Sequence, residues 1–133
     1  MAKGASISGF PEWLPSERVV EQRVIDTLRK VFELNGFIGI ETRAVETGAS
    51  LLKKGETSKE IYLLSRLQEV GHESDTPIEE RLGLHFDLTV PLSRYEVEHS
   101  GALAFPFKRW QIQKVWRGER PQEGRFREFV QAD

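Results

Sequence analysis

The sequence predicts an α+β fold, an antiparallel β-sheet flanked by helices, on three observations. Val20, Val24, Leu28, Val31 and Phe32 recur at helical spacing early in the chain. Two runs near its end, 107–117 and 125–133, alternate with the two-residue period of half-buried strands. Between them the order helix, strand, short helix, strands, helix, hairpin fits neither strict βαβ repetition nor an all-β fold.

The elements follow in order. Residues 10–15, Phe-Pro-Glu-Trp-Leu-Pro, form a proline-bracketed extended entry that delivers Ser16 as a helix N-cap. Glu17 suits the positive end of the helix dipole and Gly36 closes the far end, so a helix is expected over 17–35. Its apolar stripe reads equally as a core face and as a face that meets a partner. Residues 37–42 are rich in strand formers and are expected to be a strand. Residues 47–55 hold a short helix through Leu51 and Leu52, and 61–64 a short strand. The polar stretch from about 66 to 81 reads as a mobile surface loop without assigned chemistry, with His72 a solvated side chain. Residues 82–86 read as a strand. Asp87 to Pro91 then turn the chain into a helix running to about His99, with Thr89 as its cap. Gly101 to Pro106 is a connector to the final hairpin.

Composition bounds the function. With 38% hydrophobic and 30% charged residues, a chain of 133 residues has the make-up of one soluble domain with a real core. A net charge of -2 excludes general affinity for nucleic acid, so any polyanion must be held by a local patch. The absence of cysteine excludes disulfides, thiolate metal sites and cysteine nucleophiles, and it fits a reducing compartment. No apolar run approaches about 18 residues, and the first residues lack the apolar core of a signal peptide. A cytoplasmic location and no membrane contact are expected. His85 and His99 have no third partner in a ligand pattern, so no metal site is predicted. The chain stops at Asp133, inside a predicted strand, which suggests a piece of a longer protein.

The final hairpin carries the chemistry. In its first strand Trp110, Ile112 and Trp116 fall on one side and Arg109, Gln111, Gln113 and Arg117 on the other. After a loop over 118–124, Phe126, Val130 and Ala132 alternate with Arg125, Arg127, Phe129, Gln131 and Asp133. The apolar side, with the tryptophans, is expected to be core. Lys108, Arg109, Lys114, Arg117, Arg120, Arg125 and Arg127 stand against only Glu119 and Glu123. Arginine grips phosphate with a planar fork, and Phe129 among the arginines offers a surface for a base. Phosphate plus base suggests a nucleotide.

Arg117-x-Glu119, a basic loop, Arg125, Phe129 and the closing Asp133 resemble motif 2 of the class II aminoacyl-tRNA synthetases. Within that class the run VWRGERPQEGRFREFVQAD is similar to the histidyl-tRNA synthetase family, and the likeness extends through almost the whole chain. The resemblance implies part of a class II catalytic domain. Motif 1 would span about 16–46, at the class's dimer interface, with Arg43 where the motif usually ends in proline. Motif 2 would span about 107–133. Motif 3 and the anticodon-binding domain would lie after Asp133, so this chain alone is expected to have little or no aminoacylation activity.

The implied reaction is activation of histidine by ATP to histidyl-adenylate, followed by transfer to tRNA(His) in a homodimer. Mg2+ would accompany the ATP, held largely by phosphates. By the family pattern Arg117 bridges the reacting carboxylate and the α-phosphate, and Glu119 accepts from the adenine amino group. Arg125 reaches the terminal phosphates, Phe129 stacks on adenine, and Gln131 touches the amino acid. LHFDLTVPLSRY resembles the segment that holds the α-amino group, which falls on Asp87 and Thr89. Plainer readings stand beside these: a helix cap at Asp87 and Thr89, a surface ion pair of Glu119 with Arg120, and a core position for Phe129. Two rivals remain at this stage. One is the non-catalytic regulatory paralogue of ATP phosphoribosyltransferase, which would not need the full nucleotide-gripping set. The other is a nucleic-acid-binding module using the basic hairpin and its aromatics.

Overall fold

The computed structural model describes residues 4–53, 55, 59–71 and 75–133. Helix α1 runs Pro15–Leu34. Its N-cap is Leu14 rather than the expected Ser16, because Pro15, with φ pre-set and no N–H to satisfy, takes the first helical position. The missing cap acceptor comes from Glu17, whose carboxylate takes the Leu14 N–H at 2.9 Å. At the other end Gly36 adopts φ +80, and Phe37 N–H reaches back to Phe32 O at 3.0 Å. A side chain at Gly36 would strain that left-handed turn.

The apolar stripe of α1 is divided. Leu28 and Phe32 are half-buried, Phe32 stacking on Trp110 with centroids 6.3 Å apart, whereas Val20, Val24 and Val31 are 59%, 55% and 51% exposed. The expected strand over 37–42 shrinks to β1, Ile38–Gly39. It pairs in parallel with β4, Arg109–Trp110, and ends where Thr42 turns to side-chain partners instead of a ladder.

Strand β2, Val45–Thr47, which the sequence did not signal, pairs antiparallel with β3, Leu82–Leu84. Helix α2, Gly48–Leu52, follows at once, capped by Thr47 Oγ1 on Ser50 N–H at 3.3 Å. Gly48 is required by space, since a Cβ there would sit 1.9 Å from Ile78 O. The strand expected over 61–64 is a single bridge, Leu63 to Gly83, with Leu64 N–H on Leu82 O and Leu84 N–H on Tyr62 O, both 2.9 Å. Among the described residues of 66–81 there are two 3-10 turns, Leu67–Glu69 and Ile78–Glu80; His72 lies outside the described residues.

Helix α3, Thr89–His99, has Leu88 as its N-cap, not Thr89. The hairpin joins β5, Ile112–Trp116, to β6, Glu128–Ala132, antiparallel, with Val115 opposite Phe129 and Gln113 opposite Gln131. The described residues therefore carry three two-stranded ladders, one of them parallel, where a single antiparallel sheet was expected. The α+β class stands.

Leu51, Phe86, Leu88 and Val115 form the buried apolar core, beside buried Thr42, Glu46, His85, Asp87 and Gln111. The hairpin's core side is thus the odd-numbered one. Trp110, Ile112 and Trp116 are half-buried, and Trp110 and Ile112 line a groove with Leu28 and Ile25 of α1. Alternation separates two faces without saying which is covered. Burial of the polar face is eased because its amide nitrogens are paired, Gln111 Nε2 donating to Thr42 Oγ1 and Gln113 Nε2 to Thr42 O, both at 2.8 Å, whereas Gln111 Oε1 is buried without a partner.

Candidate active site

Residue 117 follows β5 directly, and its N–H still donates to Arg127 O across the hairpin at 2.8 Å. The Arg117 guanidinium projects over the core-side face. Its Nε donates to the main-chain oxygen of Phe86 at 3.0 Å, and one terminal nitrogen approaches Gln131 Oε1 at 3.4 Å. The guanidinium carbon lies 5.1 Å from the centre of the Phe129 ring. Arg117, Phe129 and Gln131 are therefore together on one side of the hairpin, as their odd spacing requires.

Beyond the strand ends the loop folds back on itself, Gln122 N–H on Arg125 O at 3.2 Å and Arg125 N–H on Gln122 O at 2.9 Å, with Gly124 at φ +72 supplying the turn. A recess of about 450 Å³ opens there, lined by Arg117, Glu119, Gly124, Arg125, Phe126 and Phe129. Its wall is braced by Arg127, whose Nε donates to Glu119 O at 2.9 Å. Among the described residues the Glu119 carboxylate forms no ion pair with Arg120, and Arg125 has no ion pair either. Four of the predicted residues thus line one recess, two of them charged and unspent.

Three other basic residues of the hairpin are engaged elsewhere, while Arg120 is exposed outside the recess. Lys108 caps the end of α1 through Asn35 O at 2.8 Å, Arg109 pairs with Asp133 at 3.3 Å, and Lys114 with Glu128 at 2.9 Å. The broad positive patch read from composition narrows to the residues on the recess.

Asp87 is buried and follows Phe86, the anchor of Arg117. One carboxylate oxygen lies 3.5 Å from Val90 N–H, so it sits at the start of α3. Thr89 is exposed and lines a different recess with Ser50, Lys53, Ser93 and Arg94. The fold brings Asp87 up to Arg117 through Phe86; it does not bring Thr89 into the recess that holds Glu119 and Arg125.

Behind this segment lies a support that no local sequence pattern announces. Glu46 on β2 is fully buried and receives Arg94 Nε from α3 at 2.8 and 3.0 Å, with Arg43 at 3.4 Å. Arg94 also holds Glu98 at 2.7 Å. Burial by itself lowers the Arg94 pKa, but the hydrogen bonds and charges of Glu46 and then Glu98 outweigh it, and the net direction is up. These partners lie 48 positions apart, so no local pattern signals them. Arg43 is occupied by this network and by Val45 O. On the opposite face of the hairpin, burial raises the Glu128 pKa, but hydrogen bonds from Lys114 and from Trp116 Nε1, with the Lys114 charge, bring it below the usual carboxylate range.

Among the described residues no group of three or more His, Cys, Asp and Glu side chains is placed to hold a metal, and no helix is long and apolar enough to cross a membrane. No family model matches the chain. It is 99% identical over 133 residues to the histidine–tRNA ligase of Bifidobacterium longum subsp. infantis, covering all of this chain and 28% of that protein. It is 64% identical over 140 residues to the histidine–tRNA ligase of Micrococcus luteus, covering 31% of it. The crystal structure of a histidyl-tRNA synthetase from a Nostoc species superposes with a TM-score of 0.79 at 43% identity, over 98% of this chain and 28% of that one. The chain thus spans less than a third of the length of the curated relatives it matches.

Proposed function

We propose, from the premise that the chain carries histidine–tRNA ligase sequence along its whole length, that it forms the ATP-gripping part of a histidine-activating site. The reaction is attack of the histidine carboxylate on the α-phosphorus of ATP, giving histidyl-adenylate and pyrophosphate. Transfer to tRNA(His) follows. The observation that carries the reading is the gathering of Arg117, Glu119, Arg125 and Phe129 on one recess, with Gln131 beside Arg117.

Arg117 is the catalytic residue. With Nε committed to Phe86 O, its terminal nitrogens are left to bridge the carboxylate and the α-phosphate and to neutralise charge that grows in the transition state. Arg125 meets the terminal phosphates, Glu119 accepts from the adenine amino group, and Phe129 stacks on the base. Asp87, with Thr89 at the first turn of α3, holds the α-amino group, and Gln131 contacts the amino acid. No covalent enzyme intermediate is needed, because pyrophosphate is already a good leaving group and the barrier is mainly one of charge and alignment. Mg2+ enters with the nucleotide.

The wider protein is a cytoplasmic homodimer in this reading, and the exposed Val20, Val24 and Val31 of α1 are suited to face the second copy. The regulatory-paralogue and nucleic-acid-module alternatives are not favoured. Relatives named histidine–tRNA ligase match throughout, and Trp110 borders the α1 groove while Trp116 stacks on buried His85, so neither stands free for a base.

The test is histidine-dependent ATP–pyrophosphate exchange, on this chain and on the full-length ligase that carries it, with Arg117→Ala and with other amino acids in place of histidine. Exchange by the full-length ligase that needs both histidine and Arg117 supports the proposal. Exchange indifferent to Arg117→Ala sinks it.

A further inference from the structure

We infer that His85 is a positioning residue for the proposed site, locking the segment that carries Phe86 and Asp87 onto strand β5 through its imidazole. The inference rests on the functional reading above, but its geometry does not.

Gln111 and Asp133 exchange both of their main-chain hydrogen bonds at 2.9 Å, and Arg117 N–H donates to Arg127 O. In an antiparallel ladder alternate residues face the same neighbour, so the odd-numbered residues of β5 turn toward β6. Lys114 and Trp116 direct their main-chain groups to the opposite edge, where residues 85–87 lie. Trp116 N–H finds His85 O there at 3.1 Å. Lys114 O would need an N–H from the same strand, but His85 N–H is already given to Ala44 O, beside β2, at 2.9 Å. The imidazole supplies the missing donor, with Nε2 2.6 Å from Lys114 O.

His85 therefore bonds in two directions, by its N–H toward β2 and by its carbonyl oxygen and imidazole to β5. The ring is fully buried and stacks on Trp116 with centroids 5.6 Å apart. Nδ1 is buried without a partner. A carbonyl at Nε2 and nothing at Nδ1 fix the tautomer: the proton is on Nε2. The next residue, Phe86, anchors Arg117 Nε, and Asp87 follows it. Loosening the imidazole bond frees both the carboxylate and the guanidinium's anchor.

The test uses the full-length ligase carrying this sequence, labelled in its histidine ring and arginine side-chain nitrogens, as wild type, His85→Gln and His85→Phe. Glutamine places an N–H close to that of Nε2; phenylalanine keeps the ring and the stacking without a donor. The wild-type spectrum is expected to have the His85 proton on Nε2. Hydrogen exchange at Arg117 Nε–H is expected to quicken about tenfold in the phenylalanine variant and by less than about threefold in the glutamine variant, the scale of one hydrogen bond. In pyrophosphate exchange kcat/KM for histidine should fall more than about tenfold with phenylalanine and recover with glutamine.

A proton on Nδ1 overturns the inference. So does a folded phenylalanine variant with unchanged Arg117 exchange and unchanged rate, or a glutamine variant as impaired as phenylalanine. If the unmodified ligase lacked histidine-dependent exchange, the functional reading would fail, and the nuclear magnetic resonance arm would still decide the role of His85.

Discussion

Arg117 donates its Nε to the main-chain oxygen of Phe86 at 3.0 Å, which ties the guanidinium to the residue just before the buried carboxylate of Asp87. The arginine is thereby aimed before any ligand arrives. A lysine keeps the charge but has one nitrogen, which cannot serve Phe86 O and a bridging anion pair together. Arg117→Lys should lower kcat for pyrophosphate exchange by about 100-fold, the usual cost of one lost oxyanion donor, with a smaller change in KM for ATP. Steady-state exchange kinetics on the full-length ligase measure both.

Phe129 borders the recess and also the groove under α1, so base stacking and packing compete to explain it. Stacking of one base on an aromatic ring contributes about 1–3 kcal/mol, so Phe129→Leu should raise KM for ATP about tenfold. A variant with unchanged KM and a lowered melting temperature would assign Phe129 to the core instead.

Glu46 and Arg94 join β2 to α3 with side chains 0% and 15% exposed. Breaking a pair of this kind strands the remaining charge, at about 3–5 kcal/mol. Because Glu98 still holds Arg94, Glu46→Ala should cost less than that in urea unfolding, and adding Arg94→Leu should restore part of it by removing the half-partnered cation. Strict additivity of the two changes would count against their coupling.

Glu128 titrates below its usual range because the bonds from Lys114 and Trp116 outweigh its burial. A carboxylate whose folded pKa is lowered stabilises the fold fully above its unfolded value, about 4.3, and loses that contribution as the pH falls through the folded value. Glu128→Gln should therefore melt below wild type at neutral pH, and the gap should close as the pH is taken below about 4. A gap that persists unchanged into acid would mean that the ion pair contributes nothing.

Much of the hairpin was legible. Strand period two puts Arg117, Phe129 and Gln131 on one face whatever the rest of the chain does, and the loop residues set the recess beside them. Helix α1 was legible from its stripe and Gly36, though the stripe hid a division between Leu28 and Phe32, half-buried, and the exposed valines. What failed was non-local. Two tryptophans outrank Gln111 in any hydrophobic count, yet Gln111 is the one fully buried, because Thr42 stands ready to accept from it. The pairing of Ile38 with Arg109, the Glu46–Arg94 bond and the reach of His85 to Lys114 O each join residues far apart in sequence. Nor does nearness in sequence decide which recess a side chain lines: Thr89 borders one with Ser50 and Arg94.

The bonds of Thr42 to Gln113 join residues 71 positions apart, which sets a clock on synthesis. At ribosomal speeds of about 5–20 residues per second, roughly 4–14 s separate the emergence of Thr42 from that of its partner. Throughout that interval the finished α1 must stand on the nascent chain with Phe32 unstacked and its valines bare. The early half of the chain must therefore hold these apolar side chains without the partners that later cover them.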